Sequence, residues 1–134
     1  MNLTNEQIYG VVNGLSLLSD ERLPARTAWK ILTAKTTLTP FFESLQKTLD
    51  EARMRHAVRD ENGNVVPGVD TNGNPVQGTI QINPDSISAL NQEIRDLLNV
   101  EVEVSNVSLS MNDLPESLEI AANALAALQP ILVD

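Results

Sequence analysis

The sequence contains no cysteine and only one histidine, His56. The first absence excludes disulfides, thiolate nucleophiles and cysteine-bound zinc, and the second excludes any site that needs two imidazoles. Aromatic residues are scarce: Tyr9, Trp29, Phe41 and Phe42 are the whole supply, so a core must be built from leucine, isoleucine, valine and alanine, which favours helices. No run approaches the roughly 18 apolar residues that span a bilayer, and Met1-Asn2-Leu3-Thr4 offers neither the basic nor the apolar region of a signal peptide. A cytoplasmic protein with no membrane contact is expected. The nucleophile elbow GxSxG and the phosphate loops GxxxxGK[ST] and GxGxxG are also missing. The expectation is a non-enzymatic protein without cofactor or metal.

Base is missing from one half of the chain. Residues 1–59 hold eight lysines and arginines against six acids, whereas residues 60–134 hold Arg95 alone against twelve, so net charges of +2 and −11 make up the total of −9. Either the two halves pair internally or one of them addresses a charged partner.

The 134 residues fit a single domain, 1–134, of the α+β class and helix-dominated. Residues 1–58 read as an antiparallel helical hairpin, 60–78 as an Asn-Gly repeat forming a loop or hairpin, and 79–134 as strand-helix-strand-helix with a small antiparallel sheet. Thr4 and Gln7 make a capping box, Leu3 and Ile8 a hydrophobic staple, and Ile8, Val11, Val12, Leu15 and Leu18 a helical stripe, predicting a first helix over about 5–18. Gly10 and Gly14 share one face of it, which suits the close approach of another helix. The second helix starts near Pro24 and reaches about residue 58. A kink or break is expected between Thr36 and Pro40, since the proline removes a backbone donor and crowds the Thr36 carbonyl. Along this long helix Leu38, Phe42, Leu45, Leu49, Ala52 and His56 follow 4-3-4-3-4 spacing, the mark of a seam that suits self-association, so a homo-oligomer is expected.

A period-ten repeat follows: Asp60-Glu61-Asn62-Gly63-Asn64 and Asp70-Thr71-Asn72-Gly73-Asn74. Asn-Gly favours tight turns because both residues accept positive φ. A calcium loop would also place oxygens at alternate positions, but here the glycine comes too early, and Thr71 or Gln81 stands where a bidentate glutamate is needed. Thr79-Ile80-Gln81-Ile82 reads as a short strand and Asn83-Pro84-Asp85 as the start of a third helix over about 84–98. Val100-Glu101-Val102-Glu103-Val104 alternates as a strand with its valines inward, extended by Val107 and Leu109 and ended at Asp113-Leu114-Pro115. A short alanine-rich C-terminal helix runs from Ala121 to Gln129 and stops at Pro130.

Candidate ligand-binding residues are Arg22, Arg26, Trp29 and Lys30. The three cations are spaced four apart, as on one helix face, with an indole one turn from Arg26. Guanidinium groups grip phosphate or carboxylate, and an indole face stacks on a base. The competing reading is a solvated or internally paired stripe with Trp29 in the core. Arg53, Arg55 and Arg59 form a second basic group with the same ambiguity. Glu101 and Glu103 read as solvated strand carboxylates, and His56 as a packed or hydrogen-bonded residue of the seam.

In chain order, several segments resemble a family of small uncharacterised proteins from tailed phages and prophages of Gram-positive bacteria. They are Leu3-Thr4-Asn5-Glu6-Gln7-Ile8, Leu23-Pro24-Ala25-Arg26, Ala28-Trp29-Lys30-Ile31, Glu51-Ala52-Arg53, the Asn-Gly loop, Asn99-Val100-Glu101-Val102-Glu103-Val104 and Leu125-Ala126-Ala127-Leu128-Gln129-Pro130. The duplicated loop and Pro40 depart from that pattern. The resemblance implies phage origin and assigns no residue a role. The expectation it supports is an oligomeric counter-defence protein in the cytoplasm of the infected host. Such a protein would sequester a small anionic nucleotide signal or block a host defence protein, without touching nucleic acid directly. The alternatives are a virion-assembly or tail-accessory protein, and an acidic mimic of nucleic acid.

Overall fold

Thr4 caps the first helix as its sequence demands: its Oγ1 accepts from the Gln7 amide at 3.1 Å, and Gln7 Oε1 accepts from the Thr4 amide at 2.9 Å. In the computed structural model, which describes residues 1–133, this cap joins strand β1 (Asn2–Thr4) to helix α1 (Asn5–Ser19). There follow α2 (Ala25–Arg55), α3 (Ile87–Leu98), β2 (Glu101–Glu103), β3 (Leu109–Ser110), α4 (Ala122–Leu128) and β4 (Leu132–Val133). The class is α+β and helix-dominated, with a small antiparallel sheet and a short C-terminal helix. Two compact units can be told apart in the chain, residues 1–45 with 98–133, and residues 46–97.

In the first unit the stripe of α1 is fully used: Ile8, Val11, Val12, Leu15 and Leu18 are buried together with Ile31, Ala34 and Leu38 of α2. Burying a side chain of this size is worth about 1.5–3 kcal/mol, so these residues dominate the stability of the unit. Strand β2 pairs antiparallel with β1, setting Leu3 opposite Val102. Val104 is buried, Val102 half-buried and Glu101 and Glu103 exposed, as the alternation requires, but Val100 precedes the strand and is exposed, not inward as expected.

The strand does not continue through Val107 and Leu109. Asn106 has φ of 61°, a left-handed conformation that asparagine tolerates, and it turns the chain so that Val107 and Leu109 each reach the core separately. Leu109 opens β3, which pairs parallel with β4; the crossover between them contains α4. Helix α4 is the neighbour that the glycines of α1 admit. A Cβ at Gly14 would lie 2.9 Å from Leu128 Cγ and Cδ2, and one at Gly10 would lie 3.9 Å from Ala127 Cβ.

Helix α2 does not break at Pro40; it is helical without interruption from Ala25 to Arg55. Pro40 and Thr36 are both exposed, so the carbonyl that loses its donor is open to water. Thr37 and Thr39 turn their hydroxyls back onto the carbonyls of Thr33 and Lys35, at 2.9 and 2.6 Å. Along the 4-3 seam Leu38, Leu45, Leu49 and Ala52 are buried within the chain itself and Phe42 is half-buried.

In the second unit the repeat folds into two turns of the same design. Asp60 Oδ1 accepts from the amides of Asn62 and Asn64 at 2.9 Å, and Asp70 Oδ1 does the same for Asn72 and Asn74 at 2.9 Å. Gly63 and Gly73 both have φ of 81°, the conformation for which a glycine is needed. The predicted strand 79–82 is reduced to a single bridge, Ile82 to Ala57, with Gln81 bonding Val58 and Val66 through its backbone. Gly78, also at φ of 81°, ends the extended run before it can grow longer.

Candidate functional site

The first half of α2 has two faces of opposite character. Thr27, Ile31, Ala34 and Leu38 are buried, at the 4-3-4 spacing of one stripe. Across the helix stand Trp29, 65% exposed, and Leu32, 62% exposed. Successive residues turn by about 100°, which sets Arg26 and Lys30 along one edge of this exposed apolar pair and Lys35 along the other. Arg22 does not join the stripe: it lies in the bend before α2 begins at Ala25, so the four-residue spacing from Arg22 to Arg26 is not helical.

Lys30 is committed elsewhere. Its Nζ lies 2.9 Å from both carboxylate oxygens of Asp113, whose side chain is 15% exposed. The Lys30 ammonium, then the Ser110 amide at 2.9 Å, hold the Asp113 carboxyl below its ordinary range, and the Arg26 charge adds to this. Beside it the buried Thr27 hydroxyl donates to the Asp113 carbonyl at 2.6 Å. Asp113 thus clamps α2 through two side chains one turn apart. The seat of Asp113 has a local signal: Ser110 and Asp113 form a capping box, an S-x-x-D spacing that passes unnoticed when 113–115 is read only as the end of a strand.

Arg22 and Arg26 are exposed and, among the described residues, neither has a hydrogen-bond or ion-pair partner. Next to Leu32, a groove of about 260 Å³ opens between the end of α1 and α2, lined by Leu18, Leu23, Ala28, Ile31, Leu32 and Lys35 among others. The first unit is otherwise acidic; all four of its lysines and arginines fall within residues 22–35. Trp29 is the only tryptophan, so its fluorescence reads this face directly. Its emission should lie at the red, water-exposed limit, and Trp29→Ala should change unfolding free energy by less than about 0.5 kcal/mol. A core tryptophan would instead emit to the blue and cost about 3–5 kcal/mol on removal.

The second basic group is spent within its own unit. Arg53 pairs with Asp50 at 3.3 Å, Arg55 with Glu93 at 3.0 Å, and Arg59 donates to the Gly63 carbonyl at 3.0 Å. His56 is the hydrogen-bonded seam residue the spacing suggests, 16% exposed with Nε2 3.1 Å from Glu93 Oε1. These contacts, His56 first and Arg55 second, lower the Glu93 pKa. Glu101 and Glu103 face solvent, and among the described residues no cluster of three or more histidines and carboxylates is placed to hold a metal ion. Compared with known protein families, curated proteins and solved structures, the chain matches none of them.

Proposed function

We propose that this chain is a non-enzymatic binding protein whose contact face is the exposed side of α2, with Trp29 as anchor, Leu32 beside it, and Arg26 and Lys35 along its two edges. The partner is a protein that presents an apolar slot rimmed by carboxylates. The observation that carries this reading is the 65% exposure of Trp29 next to the unpaired Arg26. Tryptophan and arginine are the residues most enriched among binding hot spots, and an indole left in water at a cost is explained by a partner that covers it. The cations supply the sign: in a unit dominated by acids they favour a negatively charged partner and steer its approach. In the setting implied by the phage resemblance, that partner is a host defence protein which this chain blocks, acting as an oligomer or alone.

A second reading, capture of a small anionic nucleotide, rests on the same Arg26 and Trp29, which stand one turn apart. It draws less support, because an indole exposed to this degree has little around it to enclose a ligand, and Lys30 is already neutralised by Asp113. Host-lysate capture on the parent chain, Trp29→Ala, Arg26→Glu and Arg53→Ala, joined to fluorescence titration with cyclic and linear nucleotides, tests both. A protein retained by the parent and Arg53→Ala but lost from the other two supports the first reading. A nucleotide that quenches Trp29 while no protein is so discriminated supports the second. Identical retention on all four chains with no quenching overturns both.

A further inference from the structure

Asn-Gly occurs three times in this chain, at Asn13-Gly14 within a helix and at Asn62-Gly63 and Asn72-Gly73 in two matching exposed turns. The dipeptide is chemically labile because no side chain shields the glycine nitrogen from the preceding amide. Deprotonated by solvent base, that nitrogen attacks the asparagine Cγ. The new N–Cγ bond closes a five-membered succinimide as the Cγ–Nδ2 bond breaks and ammonia leaves. Water then opens either carbonyl of the ring, giving aspartate or, with the backbone rerouted through the side chain, isoaspartate. The attack requires the Asn-Gly peptide to rotate away from its native hydrogen bonds, so those bonds set the rate.

Asn13-Gly14 lies inside α1, where rotation means unwinding the helix. The two exposed turns are nearly identical in their own bonds. Gly63 donates to the Asp60 carbonyl and Gly73 to the Asp70 carbonyl, each at 3.0 Å, and each aspartate carboxylate holds the flanking amides. They differ in one contact. Arg59 Nη1 donates to the Gly63 carbonyl at 3.0 Å and ties down the far side of the first glycine, whereas the matching position of the second turn is Val69, which is 58% exposed and has no such donor.

We propose that Asn72-Gly73 is a site of spontaneous deamidation and isomerisation, and that Arg59 restrains the same reaction at its twin, Asn62-Gly63. Conversion replaces a neutral amide by a carboxylate beside Asp70. The isoaspartate form also adds a backbone atom, which breaks the Asp70-to-Asn74 bond and the Val69–Pro75 bridge that close the turn.

The test is to hold the full chain in warm, mildly alkaline buffer, with a parallel sample unfolded in urea, and to follow each asparagine by peptide mapping with mass spectrometry. In the folded chain position 72 should convert several-fold faster than position 62, and position 13 should stay intact. In urea the three should converge. Arg59→Ala should bring position 62 up to the rate of position 72 and leave 72 unchanged, while Asp70→Ala should speed position 72 alone. Equal folded rates at 62 and 72, no response of position 62 to Arg59→Ala, or an intact position 72 while the urea sample converts would each overturn the proposal.

Discussion

Leu128→Ala should lower the unfolding free energy by about 2–5 kcal/mol, the range for emptying a fully buried leucine site. Leu128 is 0% exposed and packs directly against Gly14, where even a single added carbon would come within 2.9 Å of its Cγ and Cδ2. That closeness gives the experiment a second arm. Gly14→Ala in the parent chain forces Leu128 to shift, and overpacking of this kind costs about 1–3 kcal/mol. It outweighs the gain of up to about 1 kcal/mol from placing alanine for glycine in a helix. In the Leu128→Ala background the obstructing atoms are gone. The same Gly14→Ala change should then become neutral or stabilising, because the new methyl group enters the vacated space. Urea unfolding of the four proteins measures this, and the coupling should exceed about 0.5 kcal/mol. Additive effects would mean that α1 and α4 are not in the contact described.

What the sequence makes legible and what it hides divide along a physical line. Helix α1 is readable because three local signals agree on it: a capping box, a staple and an apolar stripe, and the predicted span of about 5–18 becomes Asn5–Ser19. Strand β2 is readable because strict alternation has only one meaning when one face is buried. By contrast β3 and β4 are two residues each, too short to have a period, and their parallel pairing is a tertiary event. The 4-3 seam of α2 reports that one side of the helix is covered but not by which chain, so Leu38 to Ala52 suit a dimer on the page and are buried within one molecule in the fold. Pro40 announces in the sequence what it removes from the backbone, but not that it falls on the wet side of α2.

The candidate site shows the same limits. The i to i+4 spacing of Arg26 and Lys30 is a helix property and holds, whereas that of Arg22 and Arg26 fails because α2 starts between them. Trp29 could be assigned to the core or to the surface from its sequence neighbours alone. Its exposure follows from the stripe Thr27, Ile31, Ala34 and Leu38, in which Thr27 is a polar member; a threonine breaks the apolar pattern unless its hydroxyl has a distant partner. That partner, like the one for Lys30, is Asp113, more than eighty positions away. No spacing rule reaches that far.

Asp113→Ala should lower stability at neutral pH by about 1–3 kcal/mol, since it strips a charged hydrogen bond from the half-buried Lys30 and a cap from the Ser110 amide. Its pH dependence identifies the cause. The folded-state pKa of Asp113 is depressed, so the unfolded chain binds the proton more readily than the folded one. The contribution of the pair is therefore fully present above the ordinary carboxylate range and is lost as the pH falls through the depressed value. The parent should lose this increment on acidification and Asp113→Ala should not, so the gap between them narrows below roughly pH 4. A gap that stays constant down to the acid limit would mean that the variant suffers from lost packing and not from a lost charge pair. The substitution also releases Lys30 at the edge of the Trp29 face. If that face takes an acidic partner, Asp113→Ala should bind it more tightly than the parent does while melting at a lower temperature, and Asp113→Ala combined with Lys30→Ala should keep the lower melting temperature but lose the gain in affinity. Such opposed shifts in stability and binding would separate a lysine held in reserve by its own chain from one that serves only to fasten α2.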